Sequence, residues 1–352
     1  MKPWQNEVSK NTSERVEEMK VIVDAMGGDN APLEILKGAR KAADKFGVEI
    51  LLAGKEETIK KCAEENTISL DGMKILNAES EISMCDDPKC ILREKSDSSM
   101  AVAFKALADG EGDAFVSAGS TGAVVMGATF IVKRIRGIKR PAIASIMPSY
   151  TEPFMVMDIG ANIECHKENL VQFAQMSQIY MKNIIGFKNP TVALANIGAE
   201  PTKGPEVLQE TYKALSEMDD VNFIGNIEPR DIPFGKANCV ICNGFTGNTI
   251  LKMYEGVASA LMKKVKSVFT RNVFSMLGYL LVKGGVKELK DSMDYKEFGG
   301  APLLGVKKPV IKAHGSSDER AIFNAIRQAI ECYKADVCGQ IAKLTQTDKD
   351  EE

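Results

Sequence analysis

Val21-Ile-Val-Asp-Ala-Met-Gly-Gly-Asp-Asn-Ala-Pro-Leu-Glu-Ile-Leu-Lys-Gly-Ala-Arg-Lys-Ala-Ala-Asp-Lys45 decides the fold. Its first residues are a short apolar run, Val21 to Asp24. A loop of glycine and small polar residues follows, to Pro32, and then an amphipathic stretch of helical length from Leu33. The unit is strand, loop, helix, and it recurs. Further strands are expected at Glu49–Leu52, Met73–Leu76, Ala114–Val116, Ala142–Ala144, Phe154–Met157, Val192–Leu194, Val221–Ile224, Cys239–Ile241 and Pro309–Ile311. Amphipathic stretches such as Glu206 to Met218 lie between most of them. Such alternation predicts a doubly wound α/β fold with a mostly parallel sheet. Strands covered on both faces read as continuous apolar runs, as these do.

The pattern changes between about Thr246 and Met293, where it is helical without a strand. That length predicts a helical hairpin projecting from the sheet. Its middle carries Phe274, Leu277, Leu280 and Leu281, flanked by Lys263, Lys264, Lys266, Arg271, Lys283 and Lys287. Two readings stand: a basic-flanked apolar segment lying in a membrane interface, or a dimerisation or core helix. The expected organisation is a disordered extension over 1–18 and one α/β catalytic domain over 19–345, with 246–293 as the projection.

Composition bounds the function. The chain has 352 residues, 44% apolar and 26% charged, with a net charge of −3. That balance argues against a generic nucleic-acid binder. No run reaches the ~18 apolar residues of a spanning helix, and no signal-peptide segment is visible, so a cytosolic setting is expected. Eight cysteines in this length do not suggest a disulfide scaffold. Cys239 and Cys242 form a lone CxxC on an expected buried strand, where residues three apart face opposite ways and cannot share an ion. With His166 and His314 the only histidines, no metal site is expected.

Six glycine-rich loops follow strands: Asp24–Pro32, Ser117–Gly122, Asp158–Asn162, Asn196–Gly204, Asn243–Asn248 and His314–Asp318. Asp318 or a neighbouring serine is the expected cap of the last helix. Ligands bind outside the carboxyl ends of strands in open α/β sheets, and helix N-termini there suit anions. Six such loops, taken to lie at one edge of the sheet, predict a phosphate-type or carboxylate-type site. Asp24, Gly27, Gly28 and Asn243 belong to its expected lining. No GxxxxGK[ST], post-strand GxGxxG or GxSxG sequence is present, which disfavours NTPase, dinucleotide and nucleophile-elbow chemistry. His314, Ser316 and Asp318 are too close along one turn to form a catalytic triad. Lys203, on a loop entering a helix, reads either as a point charge for phosphate or as a solvated lysine. Asn248 reads either as an oxyanion donor or as a helix cap. Lys133-Arg-Ile-Arg-Gly-Ile-Lys-Arg140 holds five basic residues and no acid, which suits an acidic partner or a solvated helix end.

From about Lys20 to Cys338 these motifs closely resemble the bacterial PlsX family, the acyl-acyl-carrier-protein:phosphate acyltransferases. The resemblance rests on Val23-Asp-Ala-Met-Gly-Gly-Asp29, Arg93-Glu-Lys-Ser-Asp-Ser-Ser-Met100, Ser117-Ala-Gly-Ser-Thr-Gly-Ala123 and Asp158-Ile-Gly-Ala-Asn162. It continues through Asn196-Ile-Gly198, Thr202-Lys-Gly204, Gly225-Asn226, Asn243-Gly-Phe-Thr-Gly-Asn248, Gly299-Gly-Ala-Pro-Leu-Leu-Gly305 and Lys312-Ala-His-Gly-Ser-Ser-Asp318. The resemblance implies a fold related to phosphotransacetylases and isocitrate-dehydrogenase-like enzymes. It also implies attack of inorganic phosphate on the thioester of a fatty acyl carrier protein, giving acyl phosphate for phospholipid synthesis. Further implications are a homodimer, no metal or cofactor, and peripheral association with the inner face of the cell membrane.

By the same resemblance Lys203 and Asn248 are the catalytic positions. Ser117, Gly119, Thr121, Asp158, Asn162, His314 and Ser316 line the site as weaker candidates. Arg134, Arg136, Lys139 and Arg140 are expected to meet the carrier protein, and Phe274, Leu277, Leu280 and Leu281 an anionic membrane. The chain departs from many relatives at Ser120, where they have asparagine, and at Asn243, where they have aspartate. Other readings are a phosphotransacylase for short acyl-CoA, an isocitrate-type dehydrogenase, and a non-catalytic membrane scaffold.

Overall fold

A computed structural model describes residues 19–292 and 299–347. The expected 1–18 extension and Met293, the end of the expected projection, lie outside those residues. The chain begins with β1 (Lys20–Asp24), α1 (Leu33–Phe46), β2 (Glu49–Gly54), α2 (Glu56–Glu65) and β3 (Met73–Asn77). Next come α3 (Ser99–Asp109), β4 (Ala114–Ser117), α4 (Thr121–Gly127), β5 (Ala142–Met147) and β6 (Phe154–Met157). Then follow α5 (Lys167–Tyr180), β7 (Val192–Ala195), α6 (Glu206–Ser216), β8 (Phe223–Ile227) and β9 (Cys239–Ile241). Two long helices, α7 (Gly244–Phe269) and α8 (Val273–Ser292), precede β10 (Ala301–Leu304), β11 (Val310–Lys312), α9 (Glu319–Lys334) and α10 (Val337–Thr347).

The fold is α/β, with one sheet in the order β3-β2-β1-β4-β11-β10-β5-β6-β9-β7-β8. Successive residues of its strands pack into different cores. Val21 and Val23 join the core beneath α1 and α9, while Ile22 joins the one beneath α3 and α4. Ile50 and Leu52 part from Leu51 in the same way. Burial on both faces explains the unbroken apolar runs, at roughly 1.5–3 kcal/mol for each large side chain.

Most ladders are parallel, but β11/β10, β10/β5 and β5/β6 are antiparallel. Three reversals make β6, β7, β8 and β9 run opposite to β1, β2, β3, β4 and β11. This corrects the expectation that six loops share one edge. The carboxyl ends of β1, β4 and β11 lie at one edge of the sheet, and those of β6, β9 and β7 at the other. β10 was not expected, because Gly299-Gly300 and Pro302 mark its Ala-Pro-Leu-Leu as a turn. It is antiparallel to both neighbours and so leaves β11 and β5 running the same way. The antiparallel β5/β6 pair, joined over 148–153 without a helix, turns the rest of the sheet over. The strand expected at Val221–Ile224 starts later, at Phe223.

The expected helical stretch is the pair α7 and α8, joined through Thr270 to Asn272. Asn272 Oδ1 accepts from the Ser275 N–H, at 2.9 Å, and the Phe269 and Tyr279 rings meet at 5.4 Å. Phe274 and Leu281 are 85% and 89% exposed, so the outer apolar face of α8 has no cover among the described residues. Among the described residues no helix is long and apolar enough to cross a membrane.

Candidate active site

Neighbouring strands bring loops together at each edge. At the first edge, Asp24 ends β1 with its carboxylate buried. Its Oδ1 accepts from the Ser99 hydroxyl and its Oδ2 from the Ser117 hydroxyl, both at 2.7 Å. Ser117 Oγ in turn accepts from the Gly119 N–H at 2.9 Å. Asp24 thus ties the β1 loop to the N-terminus of α3 and to the β4 loop. A Cβ on Gly27 would stand 2.5 Å from Asp24 Oδ2, which is why that position is bare. Gly28, at φ +103°, lies under Gly315 O, and the Asp29 N–H donates to that same oxygen at 2.8 Å.

Lys312 ends β11, buried, and its Nζ donates to the carbonyls of Ala118 and Ala313. Burial pushes its ammonium down to about 8, against the pull of Asp24 and Asp29. Burial also raises the Asp24 carboxyl, against the donors of Ser99 and Ser117. His314 Nδ1 lies 2.9 Å from Ser316 Oγ, and burial, then the charge of Lys252, lower its pKa. Lys252 belongs to α7, which crosses back over the sheet until the Tyr254 hydroxyl donates to Pro148 O at 2.6 Å.

At the second edge, Asp158 ends β6 and is fully buried. Its Oδ1 accepts from the N–H groups of Ile143, Gly160 and Ala161, and its Oδ2 from the backbone and amide of Asn162. Desolvation raises its pKa against those donors. Asn162 also donates to Pro141 O at 2.8 Å and accepts through its carbonyl from the Gly244 N–H at 2.7 Å. A Cβ on Gly247 would fall 1.9 Å from Asp158 O, so the first turn of α7 seats directly on the β6 loop.

Asn243, not Asn248, is the cap of α7: its Oδ1 accepts from the Thr246 N–H at 2.9 Å. Asn248 lies in the next turn, exposed. Lys203 follows β7, next to β9 in the sheet, and is also exposed. Its loop is pinned by Asn196, whose amide donates to Lys203 O at 2.9 Å, and by Asn226, whose amide donates to Glu200 O. The second edge therefore holds two side chains open to solvent, a cation on a pinned loop and an amide near the start of the neighbouring helix.

Thr121 is exposed at the start of α4, at the first edge with Ser117, Gly119, His314 and Ser316. These do not share an edge with Lys203 and Asn248. Asp318 caps α9 through the Ala321 N–H. Arg134, Arg136, Lys139 and Arg140 are all exposed, and the Arg134 guanidinium donates to Lys139 O. Cys239 and Cys242 are buried; burial pushes the Cys239 thiol up to about 12 and Cys242 up as well. Among the described residues no three His, Cys, Asp or Glu side chains gather to hold a metal. Ser99, Lys312 and Lys252 were not singled out from sequence. The signal for Lys312 was a lysine closing an otherwise apolar strand.

A family model described as "Fatty acid synthesis protein" matches residues 19–340. A phosphate acyltransferase of Clostridium novyi is 46% identical over 324 residues, covering 92% of this chain and 97% of its own. One from Caldanaerobacter subterraneus is 44% identical over 334 residues, covering 95% and 99%. Among solved structures, a phosphotransacetylase from Streptococcus pyogenes superposes with a TM-score of 0.60 at 16% identity, over 93% of this chain and 97% of that one. The EutD phosphotransacetylase from Staphylococcus aureus gives 0.58 at 15%, over 92% and 97%. At such identities these two matches speak for the fold.

Proposed function

Because the chain belongs to the phosphate acyltransferase family of fatty acid synthesis proteins and is an acyltransferase, we propose that it transfers a long-chain fatty acyl group from an acyl-carrier-protein thioester to inorganic phosphate. An oxygen of hydrogen phosphate attacks the thioester carbon, the C–S bond breaks, and the phosphate's proton passes to the departing sulfur, leaving acyl phosphate and the carrier thiol. The observation carrying this reading is that exposed Lys203, on the loop after β7, and exposed Asn248, near the start of α7 after β9, follow neighbouring strands at the second edge.

Phosphate is its own nucleophile, so the protein needs only to position it and stabilise the tetrahedral oxyanion. The Lys203 ammonium supplies positive charge to phosphate or oxyanion, and the Asn248 amide donates to the carbonyl oxygen. Two half-buried thiols fit such a division of labour: desolvation raises Cys165 to about 11 and Cys338 to about 12, far from a thiolate at neutral pH. The exposed apolar face of α8 supports peripheral contact with an anionic membrane, and we assign the working form to a homodimer. Replacing Leu277 and Leu280 by Glu is expected to weaken flotation with anionic liposomes; unchanged flotation removes the membrane assignment.

The test is phosphate-dependent release of carrier thiol from palmitoyl-acyl-carrier-protein, with palmitoyl-CoA and acetyl-CoA run beside it. Turnover of the carrier thioester, lost in Lys203→Ala, is the expected result. Turnover of acetyl-CoA alone moves the assignment to a short-chain phosphotransacylase. No turnover by a folded protein leaves the scaffold reading.

A further inference from the structure

Following the second edge outward from the Lys203 loop, the strand order runs β7, β9, β6, β5. Just before β5 a pocket of about 270 Å³ opens, lined by Lys139, Arg140, His166, Glu168 and Asn169. We infer that this pocket receives the phosphodiester of the carrier protein's pantetheine arm, an inference that rests on the acyl-carrier reading above.

The pocket is built before any ligand arrives. The Lys139 N–H donates to Gln172 Oε1 at 2.8 Å, and Gln172 Nε2 donates to Gly137 O at 3.0 Å. The Arg134 guanidinium closes the turn on Lys139 O, and the Thr345 hydroxyl donates to Arg136 O at 2.7 Å. Across from them, His166 stands before α5, its N–H donating to Asn169 Oδ1 at 3.0 Å.

The charge in the pocket is uncommitted. Neither Lys139 nor Arg140 has an ion-pair partner among the described residues. A larger basic hollow beside α1 differs: there Arg40 pairs with Asp44, Lys41 with Glu319 and Lys37 with Glu34. Glu168 offsets one of the two cations, leaving about one unit of positive charge. That balance suits a phosphodiester monoanion better than a phosphate dianion. Arg140 offers a planar fork to two oxygens and Lys139 a point charge. The positive end of α5 adds to both.

The spacing fits the arm. Three ladder steps of ~4.8 Å separate β5 from β7, so the strand ends that carry the pocket and the Lys203 loop are roughly 14 Å apart. About thirteen bonds join phosphorus to sulfur in phosphopantetheine. At the ~1.2 Å advance per bond of an extended chain they reach roughly 15 Å. The arm of a phosphodiester held in the pocket is therefore long enough to span the strands between it and the Lys203 loop.

The test compares palmitoyl-phosphopantetheine with palmitoyl-pantetheine, which lacks the phosphate, in the wild type and in Lys139→Ala with Arg140→Ala. The wild type is expected to prefer the phosphorylated thioester in kcat/KM, and the variant to lose about tenfold of that preference. Arg140→Lys should restore part of it. An undiminished preference in the variant overturns the inference. So does a loss confined to the whole carrier protein, which would place these cations against the carrier's surface. Failure of the wild type to use palmitoyl-acyl-carrier-protein would instead remove the reading on which the inference rests.

Discussion

The two edges of the sheet use one device to different ends. At each, a buried carboxylate closing a strand gathers the donors of its loops: Asp24 takes the Ser99 and Ser117 hydroxyls, Asp158 four backbone N–H groups and the Asn162 amide. Desolvation raises both carboxyls, and the donors offset it. The difference lies above the carboxylate. At the first edge the cation, Lys312, is itself buried and holds two carbonyls. At the second the cation, Lys203, is exposed and only its backbone is pinned. A lysine committed to carbonyls braces loops; a free one on a braced loop is available to substrate.

Breaking the brace should cost more than removing the tool it holds. Asp158→Ala strands four backbone N–H groups and an amide in the interior. A loss of about 3–5 kcal/mol of stability is expected, read by denaturant unfolding. A midpoint that barely moves would mean that water replaces the carboxylate and that the second edge is looser than the first. Next in size, Lys203→Ala and Asn248→Ala should each lower turnover by about 10²–10³. Both side chains are exposed, so the melting temperature should stay within about 2 °C of the wild type. Loss of stability in step with activity would make them structural, and the two edges alike.

Much of this was legible in the sequence. The strands stand out because burial on both faces demands unbroken apolar runs, as at Val21 to Val23. The loops stand out because Gly27 and Gly28 meet backbone or carboxylate that a side chain would strike. What sequence concealed was direction. Ala301-Pro-Leu-Leu304 is short, carries a proline and follows two glycines, so nothing local marks β10. Half the sheet is turned over by the antiparallel pairing of β5 with β6, two strands the sequence does mark without their direction. The separation of His314 and Ser117 from Lys203 and Asn248 follows from that reversal. Capping was half legible: both asparagines of Asn243–Asn248 suit a helix start, and only the geometry of the Thr246 N–H chooses Asn243.

The smallest expected effect tests whether the first edge is closed. Burial holds the Lys312 ammonium at about 8, below its ordinary 10.5. Below about pH 8 the lysine is protonated in both states, and the full penalty of burying the charge is present. Between about 8 and 10.5 the unfolded chain binds more protons than the folded one, so this group's contribution to stability rises with pH. Lys312→Met removes the titration, and with it two hydrogen bonds whose loss does not depend on pH. The stability of the variant relative to the wild type should therefore be highest near pH 7 and fall by about 1 kcal/mol by pH 9. Denaturant melts of both proteins across that range measure it. A flat difference would mean that the ammonium is hydrated, and that the first edge is as open to solvent as the second.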